Sequence, residues 1–134
     1  MKLTALGKFA DFGLLFIRLG IGVMYLYHGY PKIMGGPEKW SKLGNAMQFV
    51  GVSFFPVFWG LMAALSEFGG AFLLIAGYFF RPACVFLTIT MVVAAAMHLG
   101  KGDGLQVASH AIENGILFFG LLFIGPGKYS LDRR

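Results

Sequence analysis

Four long apolar stretches, separated by turn-forming residues, dominate the chain. These stretches cover approximately residues 12–30, 56–79, 82–99 and 107–124. Each has close to the roughly 20 residues that a bilayer-spanning helix needs. Pro31 follows the first stretch, Arg81-Pro82 separates the second from the third, and glycine-rich segments bound the fourth. The pattern predicts four membrane-spanning helices, of which the second and third form a tight hairpin.

The connector between the first two stretches has a different pattern. Over residues 37–50, Trp40, Leu43, Met47 and Val50 recur at helical spacing, and charged residues occupy other positions. This predicts a short helix lying in the membrane interface and anchored by Trp40, with a plain amphipathic connector as the alternative. The expected fold is an all-α integral membrane four-helix bundle, a single transmembrane domain over residues 1–134, with that short interfacial helix between spans one and two.

The composition supports a membrane protein. Hydrophobic residues make up 57% of the chain and charged residues 13%, where soluble domains carry roughly 25% charge, and the mean hydropathy is +0.74. A soluble chain of this length could not bury so much apolar surface, so the lipid bilayer is the expected partner. Lys2 and Lys8 precede an apolar run as in a signal peptide, but the run is long, contains Arg18 and is followed by more spans, which indicates a first transmembrane helix.

The net charge of +5 is scattered between apolar runs. No basic patch typical of nucleic-acid binding occurs, so a nucleic-acid partner is not expected. Such charges set membrane topology. The side of the two termini collects Lys2, Lys8, Arg81, Lys128, Arg133 and Arg134, and the other side collects Lys32, Lys39, Lys42 and Lys101. The excess predicts a bacterial cytoplasmic membrane protein with both termini in the cytoplasm. The single cysteine, Cys84, cannot form an intramolecular disulfide and is expected to be a buried structural residue.

Ionisable residues inside the spans are the functional candidates, because such groups usually face the bundle interior and pair with one another. They are Arg18, Glu67, His98, His110 and Glu113, with His28 and Lys32 at the end of the first span. A rise of about 1.5 Å per residue places all three histidines on the outer side of the membrane and the deeper charges nearer its middle. The expected site is therefore a polar pocket in the outer half of the bundle.

Helical phase predicts which side chains face that pocket. The stripe on the first span comprises Arg18, Gly22, Tyr25, Gly29 and Lys32, with His28 on its flank. The small-residue face of the second span comprises Gly60, Ala63, Ala64, Glu67, Gly70 and Ala71. The third span aligns Cys84, Leu87, Met91, Ala94, Ala95 and His98, and the fourth aligns His110, Glu113, Asn114 and Leu117.

Several chemistries suit this set of side chains. In a structural interpretation, Arg18 pairs with Glu67 or Glu113 and the histidines bond backbone or water. In a quinone or small-molecule pocket, histidines bond carbonyl oxygens and carboxylates exchange protons. The catalytic candidates are then Glu67, Glu113 and His110, and the ligand-binding candidates are Arg18, His28, Tyr25, His98 and Asn114. A transition-metal site of His98, His110 and Glu113 is a further alternative, as is a haem with histidine axial ligands.

Three blocks of sequence resemble the DoxX family of small four-helix bacterial membrane proteins. They are "LLFIRLGIGVMYLYHGYPKI", "SEFGGAFLLIAGYFFRPA" and "GPGKYSLDRR", of which "EFGG" and the "GPGxYSLD" ending are the most specific. "AMHLGKGDG" with "SHAIENG" is similar to a subset of the family that has both histidines. The family is named after a small subunit of a thiosulfate:quinone oxidoreductase, and other members are linked to oxidative stress or quinone detoxification. The resemblance implies a redox or quinone-related role in the cytoplasmic membrane. The expected function is a quinone-linked redox component or subunit, with a non-enzymatic scaffold for a soluble redox or stress-response partner as the alternative. The glycine-rich and aromatic-rich lipid-facing surfaces would also permit a homo-oligomer.

Overall fold

The structure, a computed structural model, describes residues 2–132, and all of its regular elements are helices. In chain order they are a 3₁₀ helix at Leu3–Phe9, α1 at Ala10–Ile33, α2 at Gly36–Gly44, a second 3₁₀ helix at Asn45–Val50, α3 at Pro56–Ala76, α4 at Phe80–Gly100 and α5 at Leu105–Ile124. Within the described residues, four helical segments are long and apolar enough to cross a membrane, namely Leu3–Ile33, α3, α4 and α5. The predicted all-α membrane fold is confirmed.

The helix ends differ from the sequence expectation mainly in the first span. α1 continues through Pro31 to Ile33, because a proline in the last turn removes only one backbone hydrogen bond. The connector contains α2 followed by the second 3₁₀ helix, and their placement in the membrane interface stays a prediction. Arg133 and Arg134, which were counted for the topology, lie outside the described residues.

The helices pack in the order α1, α3, α4, α5, and α2 lies against α3. Glycines bring the backbones together, because a side chain at these positions would fill the space between helices. A Cβ atom added to Gly29 would lie 2.9 Å from the backbone nitrogen of Phe68, and one added to Gly60 would overlap the Trp40 carbonyl. The core between the four long helices consists of Tyr25, Ala71, Leu74, Phe80, Cys84, Leu87, Met91, Ala111, Phe118 and Leu121.

The buried faces of three spans follow the predicted phases, and that of the fourth does so only in part. The buried residues of α1 are Arg18, Gly22, Tyr25 and Gly29, and those of α3 are Gly60, Ala64, Glu67, Gly70, Ala71 and Leu74. Those of α4 are Phe80, Ala83, Cys84, Leu87 and Met91. α5 buries Ala108, Ala111, Phe118 and Leu121. The polar face of the fourth span follows the expectation only in part: His110 lines a pocket between the helices, whereas Glu113 is exposed and small and aromatic side chains fill the core beside α5.

The two ends of the bundle are built differently. One, called here the histidine end, contains His28, His98 and His110. At the other, the terminal end, residues 125–132 cross the ends of α3 and α4. The Leu131 N–H donates to the Ala76 carbonyl at 3.2 Å. The carboxylate of Asp132 accepts the Phe79 and Phe80 N–H groups at 2.9 and 2.8 Å, which caps α4 and holds Phe79 at a left-handed φ of 46°. This cap gives the "YSLD" ending a structural role.

Candidate ligand-binding site

A small polar pocket lies at the histidine end, between α1, α3, α4 and α5. Its volume is about 160 Å³, and it is lined by Tyr25, His28, Lys32, Glu67, Met91, Ala94, His98, Val107, His110 and Ala111. Five of the eight residues predicted for the site are therefore together here: Tyr25, His28, Glu67, His98 and His110. Pockets that hold drug-sized ligands measure about 300–1,000 Å³, so this one suits a single small ring or headgroup.

An ion pair joins α1 to α3 at the pocket wall. The Lys32 ammonium donates to both carboxylate oxygens of Glu67, at 2.9 and 3.0 Å. The Glu67 side chain is 7% exposed and that of Lys32 is 31% exposed. A carboxylate at this depth needs a counter-charge, and Lys32 supplies it from the last turn of α1. Lys32 was not assigned to the site from the sequence, although its place on the buried stripe of the first span was a usable signal.

Aromatic side chains form the rest of the wall between α1 and α5. The rings of His28 and His110 pack edge to face with centroids 6.1 Å apart, and Tyr25 packs in the same way on Phe118 at 5.2 Å. The buried Tyr25 hydroxyl donates to the sulfur of Met91 at 3.4 Å. Sulfur is a weak acceptor, so this hydroxyl can turn to an oxygen of a ligand without losing a strong bond.

His98 is oriented by the loop that follows α4. Its Nδ1 lies 2.8 Å from a carboxylate oxygen of Asp103. The hydrogen bond from His98 is the main reason that the pKa of Asp103 lies below its ordinary value, and Lys101 adds to the effect. With Nδ1 directed at Asp103, the other ring nitrogen of His98 is the one left for a ligand or water.

Helices α1 and α5, the first and last in the packing order, contact each other through side chains. Among the described residues, no Cα atom of α1 comes within 8 Å of a Cα atom of α5. The two helices are therefore joined by long side chains alone. An apolar groove of about 680 Å³ lies beside the polar pocket and is lined by Leu26, Tyr27, His28, Tyr30, Pro31, Phe68 and Phe72. His28 lines both spaces, so the polar pocket borders an apolar groove on the surface of the spans.

Arg18 is not in the pocket, and the predicted pairing of Arg18 with Glu67 or Glu113 was wrong. Its guanidinium lies at the terminal end and donates to four backbone carbonyls. The acceptors are Leu74 at 2.8 Å, Ile75 at 2.9 Å, Pro126 at 3.2 Å and Tyr129 at 2.8 Å. The last carbonyls of a helix have no partner within it, so the end of α3 offers acceptors that match the fork of donors on arginine. Arg18 ties α1 to α3 and to the C-terminal segment.

Glu113 and Asn114 also lie outside the pocket lining. Glu113 is exposed on α5, and the Asn114 side chain donates to the His110 carbonyl at 2.8 Å, one turn back on the same helix. Within the described residues, no group of three or more His, Cys, Asp or Glu side chains is arranged to hold a metal ion. The structure therefore does not bring the predicted metal ligands His98, His110 and Glu113 together, because Glu113 is exposed on α5 and Asp103 engages His98.

Comparison with known proteins gives a consistent result. The DoxX family model matches residues 13–99. The inner membrane protein YqjF of Escherichia coli K12 is 28% identical over 94% of both chains, and the inner membrane protein YphA of the same organism is 29% identical over 95% of this chain and 97% of its own. An uncharacterized protein of Haemophilus influenzae is 30% identical over 96% and 95%. No solved structure matches the chain. With four apolar helices and this family match, the chain is an integral membrane protein of the DoxX family.

Proposed function

We propose that this protein is a quinone-linked redox component of the bacterial inner membrane and that its polar pocket binds the quinone headgroup. The observation that carries the proposal is that His28 lines both a 160 Å³ polar pocket and a 680 Å³ apolar groove. A ligand that has a small polar ring and a long apolar tail fits this pair of spaces. The names of the two Escherichia coli relatives support the inner membrane as the location.

Donors for the two carbonyl oxygens of a quinone surround the pocket. The imidazole N–H groups of His28 and His110 and the hydroxyl of Tyr25 can each donate one hydrogen bond. Lys32 has three ammonium hydrogens, of which two are engaged by Glu67, and the third is left for the ligand. His28 lines both the pocket and the apolar groove formed by α1 and α3, so a ligand can reach these groups from the side of the bilayer.

The same groups suit proton exchange. Reduction of a quinone to a quinol takes up two electrons and two protons. His110 is exposed at the histidine end, and a ring nitrogen of an imidazole can accept or donate a proton. The Lys32 ammonium group, held by the Glu67 carboxylate, carries the second proton, and Glu67 can relay its replacement. The electrons come from a soluble redox partner, so the chain itself binds the quinone and supplies the protons.

The test is a titration of the purified protein with short-chain ubiquinone and menaquinone analogues, followed by isothermal calorimetry. We expect His110→Ala and Lys32→Met each to weaken binding by roughly three- to tenfold or more, the effect of losing one hydrogen bond to the ligand. The matched controls are Asn114→Ala on the same helix as His110, and Lys101→Met at the same end of the bundle. Both lie outside the pocket lining, so they should leave the affinity unchanged.

Two results would contradict the proposal. One is the absence of measurable binding by the wild-type protein, which would favour a non-enzymatic scaffold for a soluble partner. The other is equal loss of affinity in the pocket variants and in their controls, which would place the quinone elsewhere on the molecule. A pull-down of the soluble partner with the Lys32→Met variant separates these roles, because a scaffold should keep its partner when the pocket is altered.

A further inference from the structure

The Glu113 carboxyl group lies within the fourth span and has no partner among the described residues. Glu113 is exposed on α5, and the described residues 2–132 form no ion pair or hydrogen bond with its carboxyl group: the two ion pairs there are Lys32–Glu67 and His98–Asp103. Eight residues separate Glu113 from the start of α5 and eleven from its end, which places it roughly 12 Å and 16 Å from the two ends of the helix. An unpaired carboxyl group within a membrane span favours a partner inside the bilayer.

The face of α5 that bears Glu113 points away from the bundle. At about 100° per residue, Glu113 lies approximately opposite the buried line of Ala108, Ala111, Phe118 and Leu121. Gln106, Glu113 and Gly120 recur at intervals of seven and are all exposed. Ile116 and Phe123, beside this line, are each 69% exposed. A Cβ atom on Gly120 would meet nothing within 4 Å. We call the exposed residues Gln106, Glu113, Ile116, Gly120 and Phe123 the outer face of α5.

We propose that a second copy of this chain docks on the outer face of α5, and that the Glu113 carboxyl groups of the two copies bond to each other. Positions seven apart stay on one face of a helix and can meet the same positions of a parallel neighbour, and a small residue such as Gly120 lets two helices approach closely. A two-fold axis along the membrane normal keeps both copies in the same orientation and brings identical residues together at the same depth.

The carboxyl group makes this face complementary to itself. In hydrocarbon a carboxyl group takes up a proton instead of remaining charged, and the protonated group has both a donor and an acceptor. Two such groups complete each other's hydrogen bonds without any further partner. An apolar or lipid partner would leave Glu113 unsatisfied, and this is why the second copy is the favoured occupant. The interface is separate from the polar pocket, whose lining does not include Glu113. A negative result for quinone binding would therefore not contradict the proposed dimer.

Cysteine cross-linking in native membranes tests the proposal with a closely matched control. Ile116 on α5 and Ile89 on α4 are 69% and 53% exposed, and both lie roughly 12–14 Å from the terminal end by residue count. Cys84 is buried and gives a silent background. On oxidation, Ile116→Cys should form a disulfide-linked dimer, and Ile89→Cys should form no more than random collision gives. Equal yields at the two positions would overturn the proposal, as would linkage of Ile116→Cys to a different polypeptide.

The carboxyl pair is tested in the same background. Glu113→Leu should lower the dimer yield by roughly three- to tenfold, the range expected from interhelical hydrogen bonds in membranes. Glu113→Gln should retain the dimer, because an amide also donates and accepts. An unchanged yield with Glu113→Leu would show that the carboxyl group does not hold the copies together, and loss with both substitutions would show that a charged partner is required. Helicity measured by circular dichroism confirms that each variant is folded.

Discussion

Replacement of Arg18 separates the two roles that this residue could have. The sequence placed it among the ligand-binding candidates, whereas the structure places it at the terminal end, 1% exposed and bonded to four carbonyls. If Arg18 ties the helices together, Arg18→Lys should lower the stability of the fold and leave the affinity for a quinone analogue unchanged. If Arg18 belongs to the ligand site, the affinity should fall first.

The size of the stability loss follows from the hydrogen bonds. Lysine keeps the charge, but its ammonium group has three donors on one atom and cannot reach four carbonyls that surround a planar fork. Loss of one or two charge-assisted bonds costs about 1.5–3 kcal/mol each in soluble proteins, and interhelical bonds in membranes average about 0.6 kcal/mol. We expect Arg18→Lys to cost about 1–3 kcal/mol. Arg18→Met, which leaves the carbonyls of Leu74 and Ile75 without this donor, should cost about 2–6 kcal/mol.

The assay is equilibrium unfolding in mixed micelles, in which a denaturing detergent is titrated and helicity is followed by circular dichroism. Arg81→Lys is the matched control, because Arg81 is exposed and donates to the Leu122 carbonyl near the end of α5; an exposed substitution should change stability by no more than about 0.5 kcal/mol. A variant Arg18→Lys that is as stable as the wild type, or one that loses quinone affinity at unchanged stability, would refute the structural role.

Two further substitutions test the packing and the histidine-end loop. Gly60→Ala should destabilise the fold by about 1–3 kcal/mol, because its Cβ would overlap the Trp40 carbonyl. Gly20→Ala, whose Cβ would meet nothing within 4 Å, should stabilise the fold by about 0.5–1 kcal/mol. If both substitutions changed the free energy of unfolding in the same direction, the close α2–α3 contact would be contradicted. Asp103→Asn should lower stability near neutral pH but not in strong acid, because the pKa of Asp103 is lowered by His98. A carboxylate of lowered pKa contributes stability above its ordinary value of 3.8, and this contribution is lost as the pH falls below that value. A difference between the two proteins that does not change with pH would refute the interaction.

The apolar pattern predicted the helices well because each span must satisfy its own backbone hydrogen bonds in lipid. It also predicted the buried stripes of the first three spans, where small residues and intramembrane charges lie on the same face. Gly22 and Gly29 on α1 meet α3, and Glu67 on α3 meets Lys32. On these helices the small residues and the charged residues lie on the same face. Helical phase alone was therefore sufficient to predict the buried face.

On α5 the small and aromatic core residues and the carboxyl group of Glu113 lie on different faces. The prediction that Glu113 faces the bundle interior was therefore not met. Ala111 and Phe118 fill the core, and Glu113 lies on the other side of the helix. The rule that ionisable residues face the bundle interior assumes that one chain provides the whole interior. A second copy on the outer face of α5 would satisfy the same rule for Glu113, since the interior would then include the contact between the two chains. The sequence of one chain cannot distinguish these cases by periodicity.

Comparison of Arg18 with Lys32 explains why the proposed ligand site is at the histidine end. Both lie on the buried stripe of α1, fourteen residues or about 21 Å apart. Each donates hydrogen bonds to the acceptors at its own end of the bundle. At the terminal end the Arg18 guanidinium is enclosed by four carbonyls. At the histidine end Lys32 holds Glu67 and keeps one N–H and a 31% exposed side chain, beside histidine rings and a tyrosine hydroxyl that has only sulfur as its acceptor. A ligand gains most binding free energy where polar groups are buried but incompletely hydrogen-bonded. In this protein such groups lie in the polar pocket at the histidine end.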